Sequence, residues 1–138
     1  MKIEHVAIWV KDIDKVCEFY RKYFGGVVQP LYHNPTKQFT SRFITFDDGA
    51  RLEIMHRPDI NVGTLTESNV GTTKMFHVEH FGFAHVSFSV GSKEKVDCLT
   101  QQMSDDGIII IGQPRTTGDG YYESVVLDPE GNRIEITI

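Results

Sequence analysis

At 138 residues, with 40% apolar and 24% charged residues, the chain has the size of one compact domain or of two small halves fused together. A net charge of −5 and the lack of any basic block leave no electrostatic footprint for nucleic acid or an anionic membrane. There is no basic-then-apolar leader and no apolar run near the roughly 18 residues that a membrane helix needs, so the expected compartment is the cytoplasm.

In chain order, residues 2–10 alternate as a strand. Asp12 offers an N-cap, and Ile13, Val16, Cys17, Tyr20, Tyr23 and Phe24 follow helical spacing up to a stop at Gly25-Gly26. Val27 to Leu31, Phe39 to Phe46 and Arg51 to Met55 read as three further strands, with Asp48-Gly49 as the turn between the last two. A polar stretch with few periodic apolar residues follows, of a length that suits a functional loop or a linker. Residues 82–90 alternate again, and Ser92 can cap a helix carrying Val96, Leu99 and Met103 that Asp106-Gly107 ends. Ile108 to Ile111, Tyr121 to Leu127 and Arg133 to Ile138 complete the set. The expected division is a first module over 1–58, a connector over 59–80 and a second module over 81–138.

The two halves are repeats. At an offset of 80, His5-Val6-Ala7-Ile8-Trp9-Val10 falls on His85-Val86-Ser87-Phe88-Ser89-Val90. At an offset of 82, Gly49-Ala50-Arg51-Leu52-Glu53-Ile54 falls on Gly131-Asn132-Arg133-Ile134-Glu135-Ile136. A half of this size would be marginal alone, because small domains bury too little of their surface.

Alternation assigns faces. Val6, Ile8 and Val10 form one face of the first strand, with His5, Ala7 and Trp9 opposite; Leu52 and Ile54 oppose Arg51, Glu53 and Met55. The second half repeats the pattern, setting His85 and Glu135 on the face away from its helix. His5, Glu53, His85 and Glu135 are therefore expected to meet in one cavity. Two imidazoles and two carboxylates suit a borderline divalent metal and leave up to two octahedral positions open, as catalytic sites require. One divalent ion per site is expected.

Val10-Lys11-Asp12-Ile13, then Phe19-Tyr20 and Phe24-Gly25, resemble the opening signature of the vicinal oxygen chelate superfamily. Asp128-Pro129-Glu130-Gly131-Asn132 leading into Ile134-Glu135 resembles its closing signature. The resemblance covers essentially the whole chain and implies an α+β fold. Two tandem βαβββ modules would form an incomplete, curved eight-stranded barrel around the metal site. Within the superfamily the chain is most similar to bacterial glyoxalase I, the lactoylglutathione lyase family, whose ligand set His, Glu, His, Glu matches His5, Glu53, His85 and Glu135. The short form of that family favours nickel or cobalt; zinc, manganese or iron would also suit the ligands.

The resemblance implies a small-molecule substrate, the hemithioacetal of a thiol and a 2-oxoaldehyde such as methylglyoxal, converted to a 2-hydroxyacyl thioester through an enediolate. Glu135 would be the base and Glu53 the second proton handler. Trp9 and Arg42 are expected to contact substrate, and a homodimer is expected. The residues that anchor glutathione carboxylates in glyoxalase I have no clear match here, although Asn34, Lys37 and Arg42 lie close by in sequence.

The alternatives are an epimerase, a thiol transferase or a dioxygenase of the same superfamily, or a metal-free drug-sequestering protein. Glu53 as a fourth ligand counts against the three-ligand transferases and dioxygenases, and four intact ligands count against sequestration. Cys17 and Cys98 read as buried or half-buried core residues. His77-Val78-Glu79-His80 has a metal-like composition but no partner in the repeat. Gly118-Asp119-Gly120 reads as a turn at the cavity rim, and His33 and His56 as exposed or loop-packed.

Overall fold

Both helices begin where a short polar side chain can replace the missing first-turn acceptors. The computed structural model describes residues 3–60, 83–118 and 120–138. Strand β1 (His5–Trp9) leads into α1 (Ile13–Phe24), whose Asp12 cap accepts from the Lys15 amide at 3.0 Å. Gly25 ends α1 in the left-handed conformation (φ 66°), and Gly26 is needed for a different reason. A Cβ at Gly26 would stand 2.5 Å from a methyl of Ile44, so the chain leaves α1 tight against β4.

β2 (Val27–Val28), β3 (Tyr32–Asn34), β4 (Phe39–Thr45) and β5 (Arg51–His56) complete the first half. The single strand expected over Val27 to Leu31 is broken: Pro30 has no amide to donate, and pairing with β4 resumes only at Tyr32. The strand order is β1-β5-β4-β2, with β3 also on β4. β1 and β5 run parallel, and the remaining pairs are antiparallel.

The second half repeats this plan with β6 (Val86–Ser89), α2 (Lys93–Asp105), β7 (Ile110–Thr116), β8 (Tyr122–Leu127) and β9 (Arg133–Thr137), in the order β6-β9-β8-β7. β7 runs five residues past the expected Ile111 and passes through Pro114. It can do so as the outermost strand, with register shifts on either side of Gly112 where the pairing to β8 is irregular. The architecture is thus α+β, two mixed sheets with one long helix each, and neither sheet closes into a barrel. The connector, including His77-Val78-Glu79-His80, lies almost wholly outside the described residues.

The helix-side faces of both sheets share one core. Val16 and Tyr20 of α1, Ile44, Leu52 and Ile54 of the first sheet, Val96 and Met103 of α2, and Val126, Ile134 and Ile136 of the second sheet are all buried. Phe88 of β6 seals the junction, with ring centroids 4.3 Å from Phe24, 5.0 Å from Phe46 and 6.0 Å from Tyr20. In α2 the buried face includes Thr100 rather than apolar residues alone. Its hydroxyl is satisfied by the Val96 carbonyl and by Ser124 Oγ, both at 2.6 Å.

The two resemblance-bearing segments turn out to touch each other. Glu130 accepts from the amides of Lys11 and Asp12 at 3.0 and 3.1 Å, and the buried Tyr20 hydroxyl donates to Asp128 at 3.3 Å. Tyr23 and Lys22 reach Asp106 beyond α2 at 2.9 and 3.0 Å. These segments dock one half on the other. Removing the Tyr20 hydroxyl leaves a buried carboxylate short of one donor, so Tyr20→Phe should lower unfolding free energy by about 1–3 kcal/mol. Chemical denaturation of wild type and variant measures it.

Candidate metal centre

Parallel pairing of the first and last strands of each half creates the same side-chain arrangement twice. Ala7 lies beside Glu53 in the β1/β5 register, and Ser87 lies beside Glu135 in the β6/β9 register. The immediate neighbour of each glutamate is small. The histidine two residues earlier can therefore lean diagonally over the carboxylate. His5 Nε2 stands 3.9 Å from Glu53 Oε2, and His85 Nε2 stands 3.3 Å from Glu135 Oε2.

These separations fit a shared ion. Two donors that each bind a divalent ion at about 2.0–2.2 Å stand no more than about 4.4 Å apart, and both pairs fall inside that limit. The structure brings His5 together with Glu53 and His85 together with Glu135. Among the described residues no group of three or more His, Cys, Asp or Glu side chains converges. Each pair lies on its own sheet, on the face turned away from the shared core. Both histidines are exposed and both glutamates partly covered. Alternation gave the right face for each residue but carried no information on whether the two faces look at each other.

The surroundings of the two pairs differ. Glu4 Oε2 is 2.5 Å from His5 Nδ1, and Phe43 meets the His5 ring edge-on at 5.4 Å. The hydrogen bond from His5, reinforced by Arg51, holds the Glu4 carboxyl below the ordinary carboxylate range despite some desolvation. Sequence reasoning passed over Glu4, because the residue before His85 in the repeat is Ala84.

Trp9 lies on the same face of β1 as His5, four residues further along the strand. It is 41% exposed, edge-on to Phe39, with the Arg57 guanidinium 5.5 Å from its ring centre. Arg42 does not share that face. It extends toward α1, 3.6 Å from Asp14, and lines a cavity of about 340 Å³ with Lys11, Asp14, Thr40 and His56. Its even position in β4 puts it with Ile44 on the helix side, whereas the neighbouring Phe43 packs on His5. Asn34 is engaged in the β3–β4 turn, where it accepts from the Lys37 amide at 3.1 Å. His33 bonds Thr40 at 3.0 Å and His56 bonds the Val10 carbonyl at 3.0 Å. Gly120 turns with a φ of 94° between β7 and β8.

The two cysteines differ from each other. Cys17 is buried on α1, but Cys98 is exposed, because the buried stripe of α2 runs through Val96, Thr100 and Met103 and leaves position 98 outside it. Burial pushes the Cys17 thiol up to about 11, so it holds almost no thiolate near neutrality. Alkylation of native protein at pH 8 should modify Cys98 alone, and alkylation in denaturant both; mass spectrometry of the adducts distinguishes the two.

Comparison with known proteins bears on the fold and the family. The family model described as Glyoxalase/Bleomycin resistance protein/Dioxygenase superfamily matches residues 2–136. Among solved structures, SMU.1112c superposes with a TM-score of 0.74 at 26% identity, covering 100% of this chain and 98% of that one. The trypanothione-dependent glyoxalase I of Leishmania major gives 0.71 at 19% identity, with 99% and 86% covered. Glyoxalase I from Zea mays gives 0.73 at 19% identity; 99% of this chain aligns, but with only 44% of the maize chain. Among curated proteins none matches the chain. No helix among the described residues is long and apolar enough to cross a membrane.

Proposed function

The chain belongs to the Glyoxalase/Bleomycin resistance protein/Dioxygenase superfamily, and from that premise we propose that it is a metal-dependent lyase of the glyoxalase I kind. The substrate would be a hemithioacetal of a 2-oxoaldehyde such as methylglyoxal, and the product a 2-hydroxyacyl thioester. The observation that carries this reading is the twofold occurrence of a histidine Nε2 within reach of a glutamate oxygen, at 3.9 Å and 3.3 Å, at matched positions of the repeat. His5, Glu53, His85 and Glu135 would hold one divalent ion, nickel or cobalt by family preference. When bound, such an ion supplies Lewis acidity next to two vicinal substrate oxygens.

The chain's own residues carry the rest. Glu135 accepts the proton from C1 of the hemithioacetal and returns it to C2, and a second proton passes from the C1 hydroxyl to the C2 oxygen; the C1–H and O1–H bonds break, the C2–H and O2–H bonds form, and the net change is an isomerisation. Glu53 assists from the other half. The histidines act as neutral donors. Trp9 covers the apolar side of the bound thiol adduct.

The four ligands belong to two outward faces of one chain, and this supports a site completed by a second copy. The first-half pair of one protomer would face the second-half pair of its partner, giving two sites per dimer. The face of β1 that carries His5 also carries Trp9, and Ile3 and Phe83 stand just ahead of β1 and β6; these large apolar side chains are 41%, 71% and 91% exposed in the isolated chain, and a partner would cover them.

Two measurements test the proposal. Glu135→Gln should cut turnover of methylglyoxal plus thiol by roughly 10²–10⁴-fold while circular dichroism stays unchanged, because the amide cannot accept the proton although the fold is kept. Retention of most activity removes Glu135 from that role. Sedimentation with metal analysis should give a dimer carrying two ions, with the metal lost in His85→Ala or Glu53→Ala. A protein that binds no divalent ion under any condition instead fits a sequestering role.

A further inference from the structure

The half-site on the first sheet is braced by Glu4, a carboxylate whose place in the second half is taken by Ala84. Glu4 Oε2 meets His5 Nδ1 at 2.5 Å, and its other oxygen meets the Arg51 guanidinium at 2.5 Å. The Arg51 backbone amide donates to the Glu4 carbonyl at 2.9 Å, so the ion pair spans a register already fixed by the sheet. The same guanidinium lies 4.0 Å from the ring centre of Phe43, and Phe43 in turn packs edge-on against His5. Glu4, His5, Phe43 and Arg51 thus form a closed ring of contacts. Glu53 stands beside it, directly across from Phe43 in the β4/β5 register.

A neutral imidazole carries one N–H and one lone pair. A carboxylate at Nδ1 requires the proton there, which leaves the Nε2 lone pair aimed at Glu53. A carboxylate partner on the far nitrogen of a metal-binding histidine also raises its basicity and fixes its ring. The second half has different residues at two of these positions. Ala84 takes the place of Glu4, and Val125 stands across from Glu135 where Phe43 stands across from Glu53.

We propose that Glu4 is a positioning residue that fixes His5 as the Nδ1–H tautomer and strengthens divalent-metal binding by the His5–Glu53 half-site. The affinity part rests on the metal-dependent reading above. The tautomer part does not.

The test compares wild type, Glu4→Gln and Glu4→Ala in two ways. Nitrogen-15 NMR of the metal-free protein reads the two imidazoles separately. His5 should be the Nδ1–H tautomer in wild type and revert toward the ordinary Nε2–H form in Glu4→Ala, while His85 stays the same in all three. Calorimetric titration with cobalt(II) should show Glu4→Ala binding roughly 10–100-fold more weakly, with Glu4→Gln between it and wild type, because the amide oxygen still accepts from Nδ1. Equal thermal melts show that the fold is intact. If wild type binds cobalt and the variants bind it equally, with an unchanged His5 tautomer, the role of Glu4 is overturned and the functional reading survives. If wild type binds no cobalt, the functional reading and the affinity part fall together, and the His5 tautomer alone decides whether Glu4 positions the ring.

Discussion

Much of this molecule depends on one buried carboxylate. Asp128 receives the amides of Glu130 and Asn132, the Asn132 side-chain amide at 2.9 Å and the Tyr20 hydroxyl. Burial raises its affinity for a proton, and the converging donors work against that shift. The cluster shapes the turn from β8 into β9 and so sets the register that carries Glu135. Through Tyr20 it also fastens α1 of the first half to the second half. With Glu130 capping the chain just before α1, the helix sides of both sheets are drawn onto a common core, and the opposite faces are left free for chemistry.

That division of labour explains why the His–Glu pairs look alike in both halves while their settings differ. The core faces must interlock around Phe88, so their residues are constrained by packing at near-crystalline density. The outward faces carry only the requirement that a histidine can lean over a glutamate past a small neighbour, met once by Ala7 and once by Ser87. Everything else on those faces can diverge between the halves, as Glu4 against Ala84 and Phe43 against Val125 do.

The sequence made the repeated plan, both helix starts, the turn glycines and the ligand faces legible, because caps, alternation and repeat offsets are local signals. Three things were not. β7 continues through Pro114 because it is an edge strand, and edge position is a property of the finished sheet. Cys98 lies outside the core because its helix buries a hydroxyl, Thr100, that pairs with Ser124 across the interior. Arg42 extends toward α1 because neighbouring residues of a strand take opposite faces, and nearness in sequence to Phe43 says nothing about sharing its surroundings. The four candidate ligands were legible as two pairs, and their meeting in one cavity was an extrapolation from symmetry. How two equivalent halves pack is decided by long-range contacts such as Tyr20 to Asp128, whose partners are separated by most of the chain.

Trp9 is the only tryptophan in the chain, and it projects from the ligand face of β1 under the Arg57 guanidinium. Indole emission is sensitive to water, to nearby charge and to paramagnetic ions. The protein therefore carries its own optical probe on the surface where occupancy matters, with no second indole in the core to dilute the signal. Any event that covers or fills that face, whether an ion, a small molecule or another protomer, acts on a single fluorophore whose address in the structure is known.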